Sequence, residues 1–235
     1  MSAQGEGGLT AGSGVRLLPP VRIGVLGTGP VGQALATRLV EAGHEVTMGS
    51  RDPDNPKARQ WAAGGGGRRH AGDFAAAAAS AEVVVNATAG AGSLAALAAA
   101  GDLSDKVVAD VANALDASGG MPPVLSVPFG DSLAEQIQRA HPAARVVKTL
   151  NTMNGDVMAH PELLAGEHHV FVAGDDADAK ATVTALLGDL GWPAGSVVDL
   201  GGLVAARGLE AYVLFWVAVR MATPHNHFNV RLVGR

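Results

Sequence analysis

The chain has 235 residues, 48% of them hydrophobic, and a formal charge of −5 from 17 basic and 22 acidic side chains. That length can hold one large α/β domain with a small appendage and bury a real core, and the scattered Lys and Arg lack the dense cluster of a nucleic-acid binder. The absence of cysteine excludes disulfides, thiolate metal sites and a cysteine nucleophile, and together with an N-terminus unlike a secretory signal it points to a cytoplasmic protein.

The opening "MSAQGEGGLTAGSGVRLLPP" is rich in Gly and Ser, and residues 1–20 read as a flexible tail. Beyond it, short β-rich runs alternate with helical stretches, the rhythm of βαβ units around a parallel sheet covered on both faces. Strands are expected at 22–26, 45–48, 82–86, 106–110, 145–150, 169–173 and 196–199, with a weaker one at 68–71. Helices are expected at 31–42, 56–62, 74–80, 94–100, 133–140 and 176–187. The fold class is therefore α/β, a Rossmann-type, doubly wound, mostly parallel sheet over residues 21–200. Residues 201–235 read as a C-terminal helix followed by a short β-like end, a helical cap or dimer contact. The most apolar run, "AYVLFWVAV", is far short of the roughly 20 residues a membrane helix needs.

The stretch "RIGVLGTGPVGQALATRLVEAGHEVTMGSRD" carries the main chemical signal. "GTGPVG" (Gly27, Thr28, Gly29, Pro30, Val31, Gly32) has the G-x-G-x-x-G spacing, directly after an expected strand and before an expected helix. Gly27 permits the tight turn, Gly29 lets the backbone approach a pyrophosphate, and Gly32 lets helix and strand pack closely. The second strand ends in Ser50 and Arg51, where an NAD site would place a carboxylate. A serine hydroxyl and a guanidinium can hold a 2′-phosphate that a carboxylate would repel, so the sequence selects NADP(H). Lys57 is a candidate for added charge.

These motifs, with "VVVNATAG", "DVANALDASGGMPP", "VVKTLNTMNGDVM", "VFVAGDDADAK" and "DLGGLVAARGLE", resemble the small NADP-dependent oxidoreductases related to coenzyme F420:NADPH oxidoreductase. The likeness covers nearly the whole chain from Val21. "KTLNT" followed by "DLG…AARGLE" is also similar to the cytoplasmic NADPH-oxidising domain of the six-helix metalloreductases. The resemblance implies a nicotinamide beside Asn86, Ala87 and Thr88 on one side and Ala112 and Asn113 on the other. It also implies a second ring flanked by Thr149, Leu150, Asn151, Met153 and Asn154. Where the archaeal deazaflavin enzymes carry a proline and a bulky aromatic after the fourth strand, this sequence has Ala89 and Gly90, which implies a roomier or differently shaped acceptor site.

The activity so implied is hydride transfer between NADPH and a deazaflavin (coenzyme F420) or a flavin, FMN or FAD. Two stacked rings exchange hydride directly, so no dedicated acid or base is required. Asn113 and Asn151, each just past a strand end, are the candidate catalytic contacts; alternatively they cap turns. Asp110 more readily orients its loop. The other readings are an NADPH-dependent reductase of a small carbonyl or imine, which needs a proton donor, and a non-catalytic NADPH-binding redox sensor. His168 and His169 point to opposite faces of a strand, and no metal site is expected. Tyr212, Phe215 and Trp216 share a helix face, expected to be core or homodimer contact rather than a flavin platform. The partner is then a small-molecule coenzyme, with no nucleic acid and no membrane.

Overall fold

A computed structural model describes residues 19–234; nearly all of the expected tail lies outside them. The elements run β1 (Arg22–Leu26), α1 (Pro30–Glu41), β2 (Glu45–Ser50), α2 (Pro56–Ala63), β3 (Arg69–Asp73), α3 (Phe74–Ala79), β4 (Val83–Asn86), α4 (Gly90–Ala99) and β5 (Val107–Asp110). Then follow β6 (Leu115–Asp116), β7 (Val124–Leu125), α5 (Leu133–Ala140), β8 (Arg145–Thr149), α6 (Gly155–Ala159), β9 (Val170–Ala173), α7 (Ala177–Leu190), β10 (Val197–Asp199) and α8 (Ala206–Ala222).

Eight strands form one sheet in the order β10-β9-β8-β5-β4-β1-β2-β3. Every pairing is parallel except β8 with β9. The order reverses between β1 and β4, which leaves a crevice at their carboxyl ends. Helices cover both faces, because the central strands are apolar on both sides: β4 and β5 are buried along their whole length.

The two resulting cores have different wall helices. On one face α1 contributes Leu35, Ala36 and Leu39, and α7 contributes Val183, Leu186, Leu187 and Leu190, at helical spacing. On the other, α3, α4 and α5 bury Ala77, Ala78, Leu97, Leu133 and Ile137 against Leu26, Val84, Val108 and Val146. Side chains cap several helix starts, as N–H groups in the first turn otherwise lack partners. Asn55 caps α2, Asp73 caps α3, and Asp176 caps α7. At α5, Ser132 accepts from the Glu135 N–H at 3.1 Å and donates to its carboxylate at 2.7 Å.

Three expectations change. Helix α4 starts at Gly90 rather than 94, because the Asn113 carbonyl lies 2.1 Å from where a Cβ at Gly90 would stand, and that packing overrides weak local propensity. The β6–β7 ribbon and α6 fall in segments where no element was expected. The C-terminal end is not a strand: residues 224–234 have no regular structure. That segment returns across the molecule instead, where Val230 O accepts from His169 N at 2.9 Å and Leu232 N donates to His169 Nδ1 at 3.1 Å. No helix among the described residues is long and apolar enough to cross a membrane.

Candidate functional site

The glycine loop is built as its spacing predicts. Gly27 has φ +119°, donates to Gly49 O at 2.9 Å, and leaves only 2.5 Å between a would-be Cβ and Ala87 O. Gly32 sits against Gly27 O, where a Cβ would come to 2.2 Å. Gly29 differs: a Cβ there would meet nothing within 4 Å. It is the N-cap of α1, whose first turn begins at Pro30 and carries neither a side-chain cap nor an acidic residue. The open space beside Gly29 therefore faces unpaired N–H groups and a positive helix end.

From this loop a groove of about 860 Å³ runs over the ends of β2 and β3 and along α4. Gly27, Thr28 and Gly29 line it, together with Ser50, Arg51, Asn55, Asp73 and Phe74. Arg51 is exposed and, among the described residues, forms no ion pair. The Ser50 hydroxyl is buried and donates to Asp52 O, so a phosphate would have to replace that bond. Lys57 is exposed in the first turn of α2, outside the lining. The carboxylates nearby are engaged locally, Asp52 accepting from Asp54 N and Asp73 from Ala76 N.

A second groove, about 350 Å³, adjoins the first and shares Ala87, Thr88 and Ala89 with it. Val31, Ala112, Asn113, Met153, Asn154, Gly155 and Met158 line it. Trp216 of α8, on the helix face expected to be core or dimer contact, also lines it. Of that face, Phe215 is largely exposed, and the Tyr212 ring touches Phe215 with a centroid distance of 5.8 Å. Burial pushes the Tyr212 hydroxyl above its ordinary pKa. Ala89 and Gly90 both line this groove, and the missing side chain of Gly90 makes room for the Asn113 carbonyl.

Several expected contacts turn inward instead. Asn86 is fully buried: its amide donates to Asp110 at 2.8 Å and Ser93 at 3.1 Å and accepts from the Thr88 hydroxyl at 2.7 Å. It holds the β4 end rather than facing the groove. Thr149 donates to Phe171 O at 2.8 Å, and Leu150, with φ +60°, lines a small apolar cavity between α1, α7 and the sheet. Asn151 is buried and donates to Asn113 Oδ1 and Leu209 O, each at 2.9 Å, while Asn113 donates back to Asn151 O at 2.9 Å. Asn113 is thus the groove residue and Asn151 its support. Asn154 caps α6 by accepting from Asp156 N at 2.8 Å.

The sequence reading missed the ionic cluster next to Ala112. Lys148 is fully buried, 2.8 Å from Asp110 and 3.0 Å from Glu210. Burial would lower its pKa, but the two carboxylates outweigh that and hold it above its ordinary value. The signal was a lone lysine inside the apolar run "VVKTL", since lysine is almost never fully buried unless paired. No group of three or more His, Asp or Glu side chains gathers to hold a metal among the described residues.

Residues 22–114 match the family described as NADP oxidoreductase, coenzyme F420-dependent. The crystal structure of a candidate F420-dependent NADP reductase from Arthrobacter sp. FB24 is 47% identical, superposes with a TM-score of 0.84, and aligns over 91% of this chain and 100% of its own. This chain belongs to the coenzyme F420-dependent NADP oxidoreductase family. The metalloreductase STEAP3 of Rattus norvegicus is 29% identical over 194 residues, which span 82% of this chain but only 36% of that protein. A reductive aminase of Aspergillus terreus, in complex with NADPH and ethyl levulinate, has a TM-score of 0.62 at 20% identity over 87% of this chain and 63% of its own, a likeness of fold alone.

Proposed function

We propose that the protein transfers hydride between NADPH and a planar redox ring, a deazaflavin of the coenzyme F420 type or a flavin such as FMN or FAD. One observation carries the reading: the groove that holds Arg51 and the one that Trp216 lines share Ala87, Thr88 and Ala89, and no titratable side chain lines the second. Hydride exchange between two stacked rings needs none there, whereas reduction of a small carbonyl or imine calls for a proton donor.

The residues fit a dinucleotide. The empty volume beside Gly29, under the unpaired start of α1, suits a pyrophosphate, and Arg51 would hold a 2′-phosphate. Thr28, Pro30 and Val31 continue the phosphate loop, with Ser50 and Lys57 as supplementary donors. Ala87, Thr88, Ala112 and Asn113 would border the nicotinamide, Asn113 by a hydrogen bond from its half-exposed amide. NADPH supplies the hydride, two electrons with one proton, and solvent supplies the second proton that the reduced acceptor takes up. The chain's own work is to orient the rings and exclude water: Val31, Met153 and Met158 give the second groove an apolar lining.

On this reading residues 21–200 form the NADP domain and 201–235 close the acceptor end. The exposed Val204 and Phe215 of that segment favour a homodimer contact. Stopped-flow absorbance with NADPH and oxidised deazaflavin, FMN or FAD tests the function. Rapid bleaching of the acceptor is expected; absence of turnover with all three would reject it.

A further inference from the structure

Trp216 is the one aromatic side chain among the residues lining the second groove, and it reaches there from α8, outside the βαβ frame. Its indole Nε1 is buried and has no hydrogen-bond partner. Phe228 stacks on the indole, with centroids 5.2 Å apart and planes at 15°. Phe228 is absent from the groove lining, whereas Trp216 belongs to it.

The segment carrying Phe228 is tied down on both sides of it. His227 Nε2 lies 2.9 Å from the Asp156 carboxylate of α6, beside the groove residues Asn154 and Gly155. Asn229 donates to His169 O at 2.8 Å and meets His168 Nδ1 at 2.9 Å. The fold thus spends three tertiary contacts on holding an aromatic pair at the mouth of a groove that is otherwise aliphatic, amide and hydroxyl in character.

We propose that Trp216 is the acceptor-recognition residue. Its indole packs against a planar heteroaromatic ring, while Phe228, acting through Trp216, is a positioning residue. This rests on the proposed function in taking the second groove as the acceptor site. It extends that reading by assigning a specificity element outside the NADP domain. An aromatic wall selects a flat ring and gives no comparable gain to an aliphatic carbonyl compound.

Two measurements separate this inference from the function it rests on. Oxidised deazaflavin is titrated into NADP⁺-saturated protein while tryptophan emission is read, where no turnover occurs. Wild type should quench hyperbolically, and Trp216→Phe, which keeps Trp61 and Trp192, should lose most of the quenching. Turnover of Trp216→Leu should show the acceptor KM raised about tenfold, a loss of about 1.4 kcal/mol, with NADPH affinity within twofold of wild type. Phe228→Leu should raise the same KM to a smaller extent and leave NADPH affinity alone. Unquenched wild-type emission, equal quenching in Trp216→Phe, or an unchanged acceptor KM in Trp216→Leu overturns the inference. Failure of wild type to turn over any of the three acceptors rejects the proposed function instead, and the quenching experiment still decides on Trp216.

Discussion

Lys148 on β8 donates to the Asp110 carboxylate on β5 at 2.8 Å, and both side chains are wholly buried. The two residues are register partners in the sheet. The same ammonium donates to Ala112 O and meets Glu210 of α8, whose carboxylate accepts from Leu133 N and Ala134 N at 2.8 and 3.1 Å. One cation thus joins two strands, the groove lining, the start of α5 and the helix that carries Trp216. Two carboxylates facing one ammonium are tolerated because the N-terminus of α5 supplies further positive potential.

Removing Lys148 should therefore cost more than a surface ion pair. Lys148→Met leaves two buried carboxylates without their cation, and urea unfolding should show a loss of roughly 3–5 kcal/mol. A loss below about 1 kcal/mol, the range of exposed pairs, would refute this account. The Lys148 pKa is raised above 10.5, so its contribution is complete below that value and is lost only as pH climbs through the raised one. Wild-type stability should accordingly show no Lys148-dependent decline between pH 7 and 9.

Gly27 and Gly29 should respond differently to the same change. Gly27→Ala imposes a strained φ and a 2.5 Å contact with Ala87 O, so thermal unfolding should report a loss of about 1–3 kcal/mol. Gly29→Ala adds a methyl group into open space, so the protein should melt close to wild type yet bind NADPH at least about tenfold more weakly, about 1.4 kcal/mol. Calorimetry and melting curves on both variants check the contrast; normal NADPH affinity in Gly29→Ala would remove the pyrophosphate from that position.

Arg51 is exposed in the lining of the first groove, so its removal should leave the fold intact. Arg51→Ala should lower kcat/KM for NADPH by roughly 10- to 100-fold, as expected for losing a charge-assisted bidentate contact of about 1.5–3 kcal/mol. The value for NADH should stay within about twofold. Parallel loss with both coenzymes, or no loss with either, would contradict the assignment.

Asp131, just before α5, forms a bidentate pair with Arg139 at 3.1 and 2.7 Å. That pairing lowers its pKa from 3.8 to about 2. A carboxylate depressed on folding stabilises the native state above its unfolded pKa and loses that contribution as pH falls through the folded value. Asp131→Asn should therefore lower the urea midpoint at pH 7, and the gap from wild type should narrow between pH 3.8 and 2. A gap that widens on acidification would give the opposite sign and dismiss the pair as its source.

Periodicity and turn chemistry made much of this fold legible in advance. Strand β1 and helix α5 have the expected bounds, and β2, β4, β5, β8, β9 and β10 differ by one or two residues, because each is a short β-branched run closed by a polar or glycine stop. The weak expectation at 68–71 became β3, since Arg69 to Asp73 pair in parallel with Val46 to Ser50 and edge pairing overrode poor propensity. The inward turn of Asn86, Thr149, Leu150 and Asn151 was not legible. A resemblance names residues near a site, but whether a side chain faces the groove or braces the backbone depends on partners far away in sequence, such as Leu209 for Asn151.

The sequence by itself determined the βαβ frame, the glycine loop and the cationic position after β2, because each depends on local spacing and on backbone freedom at one or two residues. Only the tertiary structure decided the second groove. Trp216, Phe228 and Glu210 reach it or its supports from the C-terminal segment, and Lys148 is ionised in the core only because two distant carboxylates meet there. Those outcomes depend on long-range packing and on desolvation balanced by charge, quantities that no window of neighbouring residues contains.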